Sequence, residues 1–149
     1  MELQEIYKQK LLDSIPVVKG MDVEIDNISP NSLTVGAPLN ANINYEGTAF
    51  GGSLNTVCIL SCYLLVHHLL NTHEVEFESL VIQNSKVDYL RPVDKDFFAI
   101  SYVADKERER FFKMLKARGV GRINVSSSIR TSGREENHVE FKARFVAKL

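Results

Sequence analysis

The chain has 149 residues, 44% of them hydrophobic and 25% charged, which fits one globular domain over residues 1–149 and leaves no room for a second. A chain of this mass folds to roughly 7,700 Å² of surface against about 24,500 Å² unfolded, so about 70% is buried without help from disulfides or metals. Eighteen Lys+Arg against nineteen Asp+Glu give a net charge of −1. That balance excludes a protein whose main partner is the phosphate backbone of nucleic acid, and any anionic ligand must be met by a local patch.

The only cysteines, Cys58 and Cys62, stand one helical turn apart in an apolar run. They are too few for a disulfide framework or a structural zinc site, which suggests a reducing, cytoplasmic setting and no metal. Met1 to Lys10 is polar and mixed in charge, without the apolar core of a secretory signal. The greasiest stretch, Leu54 to Leu70, is interrupted by Asn55, Thr56, Ser61, His67 and His68. It falls short of the ~20 apolar residues that cross a bilayer, so it reads as a buried helix and no membrane is expected.

In chain order, Leu3, Ile6, Tyr7, Lys10 and Leu11 keep a helical spacing, predicting a short amphipathic helix that ends before Pro16 and flanks the core rather than joining it. Val23/Ile25 and Leu33/Val35/Ala37/Leu39 alternate with period two around Asn27, Ser29, Pro30 and Asn31, a hairpin of two half-exposed strands. Asn40 to Gly52, NANINYEGTAFGG, is a loop of turn-forming residues. It leads into the apolar helix, which Ser53 is placed to cap and which stops near Asn71, with His67 and His68 suited to its negative end. Apolar residues occupy nearly every face, so other structure must wrap this helix on most sides. Strands are predicted over Leu80 to Leu90 and Phe97 to Ala104, then a basic helix over Glu107 to Arg118 with Gly119 as its C-cap, then two more strands. In the last, Val139, Phe141, Ala143, Phe145, Ala147 and Leu149 alternate with mostly polar residues. Consecutive strands with short links pair antiparallel, giving an α+β sheet curled around one long helix.

Chemistry concentrates at the start of the apolar helix. Gly51 and Gly52 leave backbone N–H groups open to an oxyanion, although a tight turn alone would also explain them. Asn42, Asn44, Thr48, Ser53 and Asn55 gather amides and hydroxyls at the same place, where a thioester carbonyl can be polarised and a water oriented.

The string Asn42-Ile43-Asn44-Tyr45-Glu46-Gly47-Thr48-Ala49-Phe50-Gly51-Gly52-Ser53, the apolar helix and the later Val87-Asp88-Tyr89-Leu90-Arg91-Pro92 resemble the hotdog-fold acyl-thioesterases. Within these the chain is most similar to the thioesterase domain that follows an acetyltransferase domain in some bacterial proteins. The resemblance implies a hotdog fold and a homodimer joined through its sheets, or a tetramer of such dimers. It also implies a tunnel between subunits for an acyl chain carried on coenzyme A or acyl carrier protein, a role in fatty acid metabolism, and no cofactor beyond the coenzyme A or phosphopantetheine of the substrate. Asn44 then matches the motif Asn near the carbonyl, and Gly51 and Gly52 the glycines that receive it. The chain departs from phenylacetyl-CoA-thioesterase-like relatives at Phe50, where they carry His, and at Ile59, where they carry an acid. Tyr45 also replaces a His usual in the sub-family.

Glu46 is the only carboxylate of the loop and reads first as a solvated charge, with a general base as the alternative. Ser53 as a nucleophile needs an adjacent base that no sequence feature assigns. His67 and His68 lie too far down the helix to serve, and His73 and His138 have no supporting pattern. On the strand Leu80 to Leu90, Gln83 and Ser85 share one face and Asn84, Lys86 and Asp88 the other. We expect Gln83 and Ser85 to face the ligand across a subunit boundary, with plain interface packing as the alternative and Tyr89 and Arg91 near the mouth. Arg108, Arg110, Lys113, Lys116, Arg118 and Arg122 form a basic patch, either a solvated helix face or a landing site for coenzyme A phosphates or an acidic carrier. Phe111, Phe112, Met114 and Leu115 are its packed side.

The expected protein is a cytoplasmic acyl-thioesterase: Gly51 and Gly52 polarise the carbonyl, Asn44 with Ser53 orients water, and Asn42, Thr48, Phe50, Asn55, Gln83, Ser85 and Arg91 contact substrate. The rival is a non-catalytic acyl-thioester-binding or sensing module, motivated by Ile59. A hotdog dehydratase lacks its His and acid here.

Overall fold

The computed structural model describes residues 2–149. The helix α1, Leu3–Ser14, forms on the expected spacing and gives way at Ile15 to a 3-10 turn, Pro16–Met21, whose first position Pro16 takes with its fixed φ. It is part of the core rather than a flank. Tyr7 and Leu11 are 5% and 3% exposed and sit in the main buried cluster. The Tyr7 hydroxyl donates to His68 Nδ1 at 2.8 Å. They are buried because α1 covers part of the long helix that the sheet leaves open.

The strands are β1, Glu24–Ile28, β2, Ser32–Ala37, β3, Ser79–Tyr89, β4, Phe97–Tyr102, β5, Val120–Thr131, and β6, Val139–Lys148. They make one antiparallel sheet in the order β1-β2-β4-β5-β6-β3. The hairpin β1-β2 is closed by Ser29 N–H donating to Ser32 O at 2.8 Å. On β6 the predicted alternation holds, with Val139, Phe141, Ala143, Phe145 and Ala147 buried against the helix. The helix α3, Asp105–Arg118, starts two residues earlier than expected, because Asp105 and Glu107 both suit the positive end of its first turn. It ends at Gly119 with φ 73°, as predicted. Phe111 and Leu115 seat it on β5, where an added Cβ at Gly121 would lie 2.9 Å from Leu115 Cγ and 3.0 Å from Phe111 O, so that close approach requires glycine.

The long helix α2, Gly51–Thr72, lies against β2, β3, β4, β5 and β6. At 22 residues it is longer than the interrupted apolar run suggested, and long and apolar enough to cross a bilayer by length and composition. Here the sheet wraps it and 11 of its residues are buried. A partly exposed stripe, Asn55, Ile59, Tyr63 and His67, runs down the remaining face at successive four-residue steps.

Two polar clusters inside this core have no sequence signature. Ser61 Oγ donates to Cys58 O at 2.9 Å and shares a 2.9 Å bond with Ser127 Oγ, while Ser101 Oγ reaches Ser61 O at 2.8 Å and Leu33 O at 2.9 Å. These bonds tie α2 to β2, β4 and β5 and satisfy hydroxyls that would otherwise be costly to bury. His138, 1% exposed, sets Nδ1 3.0 Å from Pro92 O and Nε2 3.4 Å from Thr131 Oγ1, pinning the Arg91-Pro92 turn to the start of β6.

Both thiols are free and buried. Burial pushes Cys58 up to about 12 and Cys62 well above the ordinary thiol value. Neither is expected to react with a disulfide reagent at mildly alkaline pH in the native protein, whereas both react once guanidinium unfolds it; colorimetric thiol counting before and after unfolding checks this.

Candidate active site

The loop before α2 is braced from inside. Asn42, 3% exposed, donates from Nδ2 to Met21 O at 3.0 Å and Pro38 O at 2.8 Å, and its own carbonyl accepts the Phe50 N–H at 2.7 Å. Ala49 N–H donates to Val93 O at 2.8 Å. Asn44 closes the tip of the loop. Its Oδ1 accepts from Glu46 N–H at 2.9 Å and Thr48 N–H at 3.1 Å, and its Nδ2 donates to Thr48 Oγ1 at 2.9 Å. Gly47, with φ 80°, makes the left-handed turn between them. The Asn44 amide is therefore engaged within the loop, and Thr48 is its partner.

Ser53 does not cap α2. The helix begins at Gly51, with Phe50 in the N-cap position at φ −62°, ψ 132° and no side-chain cap. The first bond of the helix joins Leu54 N–H to Phe50 O at 3.1 Å. The Phe50 N–H is used by Asn42, so the N–H groups of Gly51, Gly52 and Ser53 are the unpaired donors of the first turn. The loop's hold on Phe50 explains the earlier start: it fixes the extended N-cap three residues before the serine.

Exposed aromatic side chains border these donors. Phe50 is 57% exposed, and a Cβ on Gly52 would meet its ring at 2.4 Å. Tyr89, 52% exposed, donates its hydroxyl to Gly51 O at 2.9 Å, which places the end of β3 beside the helix start. Partial burial raises the Tyr89 hydroxyl above the ordinary tyrosine value, so it stays a donor near neutral pH. One turn into α2, Asn55 Oδ1 is buried without a hydrogen-bond partner. Thr56 bonds back to Gly52 O at 2.8 Å. Ile59 follows on the same stripe and carries no titratable group. Glu46 is exposed on the loop's outer turn.

The remaining predicted residues fall farther out. A β-bulge between Ile82 and Asn84 makes Gln83 the extra residue of β3. Gln83 and Ser85 therefore do not share a face by simple alternation. Ser85 lies opposite Ala143 on the helix side, while Asn84, Lys86 and Asp88 stay on the outer face. Residues Val81 to Lys86 are exposed on both sides because β3 is a bare sheet edge. Arg91 donates to Asn137 O. In the basic patch, Arg108 is tied to Asp105 and Asn31 and Arg110 to Glu107, which leaves Lys113, Lys116, Arg118 and Arg122 without an ion pair among the described residues. Sequence reading missed a groove of about 520 Å³ on the outer sheet face, where strand pairing brings Lys86, Arg130 and Lys142 together with Asp88 and Glu140. Among the described residues, no group of His, Cys, Asp and Glu is arranged to hold a metal.

Residues 3–149 match the family described as Putative thioesterase (yiiD_Cterm). Among solved structures, the chain is similar to a protein of unknown function from Chlorobaculum tepidum TLS, with a TM-score of 0.90 at 25% identity over 98% of this chain and 94% of that one. It is similar to the putative thioesterase from Shewanella oneidensis, with a TM-score of 0.83 at 22% identity over 99% and 98%. A third neighbour is a thioesterase from Haemophilus influenzae, with a TM-score of 0.77 at 16% identity over 100% and 93%. No curated protein matches the chain by sequence. A family match spanning nearly every residue, joined to a six-stranded antiparallel sheet around one long helix, identifies the chain as a member of this thioesterase family with the hotdog fold.

Proposed function

We propose that the protein hydrolyses an acyl thioester carried on coenzyme A or acyl carrier protein, with the thioester carbonyl received by the N–H groups of Gly51 and Gly52. The observation that carries this reading is the set of three unpaired donors at a helix start whose preceding residue is fixed by Asn42. Such donors stabilise the oxyanion as water attacks, the C–S bond breaks and the thiol leaves with a proton. Asn44 serves by bracing the loop through Thr48. The water is oriented by the Ser53 hydroxyl on the first turn of α2. Phe50 and Tyr89 flank the acyl group.

The bare β3 edge supports a homodimer joined through that strand, since an exposed edge of 11 residues is a template for pairing. The chain exposes 8403 Å², more than the roughly 7,700 Å² its mass predicts, in keeping with a surface that a second copy covers. A tetramer would use another surface. The unpaired cations on α3 fit the phosphates of coenzyme A or an acidic carrier, and the two free thiols fit a cytoplasmic protein. Ile59 supports a second reading, a module that binds acyl thioesters without cleaving them, because no base stands next to the water.

A panel of acyl-CoA and acyl-carrier substrates, read by thiol release, separates the two. Turnover is expected, and Asn44→Ala is expected to lower kcat/KM by about 10²-fold as the donors lose their alignment. Tight binding of intact acyl-CoA without thiol release favours the module instead, and unchanged turnover in Asn44→Ala removes the loop from the mechanism.

A further inference from the structure

Away from the helix start, α1 and the second half of α2 enclose a cavity of about 320 Å³ lined by Tyr7, Lys10, Leu11, Ile15, Tyr63 and His67, together with Ser14 and Leu64. Its floor is apolar, formed by Leu11, Ile15 and Leu64 with the ring of Tyr7. Its polar side chains are the Lys10 ammonium, the hydroxyls of Tyr7, Ser14 and Tyr63, and the His67 ring. Lys10 takes part in none of the ion pairs found among the described residues. Tyr63 is half-buried, and burial raises its hydroxyl above the ordinary value, so it remains protonated. His67 Nδ1 lies 3.1 Å from the Asn71 amide nitrogen, which makes Nδ1 the acceptor and places the ring proton on Nε2. No carboxylate lines the cavity.

An apolar floor beneath an ammonium, a phenol and an imidazole N–H matches a ligand with one anionic end and a compact apolar body. We propose that this cavity is a second binding site, for a small aliphatic or aryl carboxylate, whose carboxylate meets Lys10 and Tyr63 while its body packs on Leu11, Ile15 and Leu64. The volume falls at the lower end of the roughly 300–1,000 Å³ range of ligand sites, so the ligand is small. Free carboxylic acids are what thioester hydrolysis releases. That link to product feedback rests on the function proposed above, whereas the binding does not.

His67 reports on occupancy. Tyr7 and Lys10 face it from α1, Tyr63, His68 and Asn71 from α2, and Phe77 from the segment before β3. Burial, then the Lys10 charge, then His68 hold its pKa below the ordinary histidine value. A bound carboxylate would oppose the Lys10 contribution and raise it.

The test titrates octanoate, phenylacetate and neutral octanol into the full chain, by calorimetry and by NMR of the uniformly labelled protein, which reads the histidine rings and the backbone amides. Octanoate is expected to bind, to shift the His67 titration upward and to bind more tightly than octanol. Lys10→Met, which keeps the apolar stem, is expected to weaken octanoate by about tenfold and leave octanol unchanged. Tyr63→Phe gives a smaller loss and keeps the test open should Lys10→Met disturb α1. The site is overturned if octanoate does not bind, if it binds no better than octanol, if Lys10→Met does not weaken it, or if only signals of Phe50 and Gly52 move. Octanoate binding at His67 in a protein that cleaves no thioester removes the proposed activity and leaves this site standing. Cleavage without such binding does the reverse.

Discussion

Gly52→Ala is expected to raise stability and lower turnover together. In the first turn of α2, glycine costs roughly 0.5–1 kcal/mol relative to alanine in backbone entropy, and nothing in the local backbone demands a positive φ at this position. Every atom within 3.1 Å of an added Cβ belongs to the Phe50 ring, which is exposed and free to swing aside. The fold therefore accommodates the methyl group. The proposed carbonyl site does not, because the methyl and the displaced ring occupy the approach to the Gly51 and Gly52 N–H groups. Loss of one such donor typically costs about 10²–10³ in kcat, and a fall of that order is expected here. Thermal unfolding with thiol-release kinetics on the same preparation decides it. An alanine variant that is more stable and fully active would move the carbonyl away from Gly52. One that is less stable would mean that Phe50 has a packing role its exposure does not suggest.

The parts of this architecture that repeat with a short period were legible from residue order. The β6 alternation, the α3 face of Phe111 and Leu115, and Gly119 as C-cap are local patterns, and the structure keeps them. The loop could be read as a site because helix starts leave donors unpaired whatever the tertiary context. What escaped depends on partners distant in sequence. Ser61 with Ser127, His138 with Pro92, and Tyr7 with His68 are pairs no local window contains. On β3 only the placing of Gln83 escaped, for a different reason: it is the extra residue of a bulge, which a two-sided exposed strand has no hydrophobic pattern to reveal, whereas Ser85 keeps the other face from Asn84, Lys86 and Asp88 as alternation requires. Ser53 illustrates competition between local and nonlocal rules. It is a good N-cap residue, but the Phe50 N–H to Asn42 O bond and the hold of Val93 on Ala49 fix the N-cap three residues earlier.

That hold makes Asn42 the residue whose replacement by an isosteric acid should have the largest effect on stability. Asn42→Asp keeps size and shape but replaces the Nδ2 that donates to Met21 O and Pro38 O with an oxygen facing the same two carbonyls. The site is 3% exposed, and Oδ1 already has no donor to accept from. An ionised carboxylate there would be buried against two carbonyl dipoles with no compensating charge, so a loss of about 3–5 kcal/mol at neutral pH is expected. The folded carboxyl avoids part of this by holding its proton, which raises its pKa above the unfolded value of about 3.9. The sign follows from linkage: the extra destabilisation is absent below about pH 4, grows as pH rises through the unfolded pKa, and levels off above the folded one. Asn42→Ala serves as the comparison. It also loses both bonds, at about 1–3 kcal/mol, but adds no titrating group and so no pH dependence relative to the parent. Urea unfolding of all three proteins between acid and neutral pH measures the difference. An aspartate variant as stable as the parent at neutral pH, or one whose deficit does not shrink in acid, would show that the Asn42 amide does not hold the loop. The extended N-cap at Phe50, and with it the alignment of the donors at Gly51 and Gly52, would then need another cause.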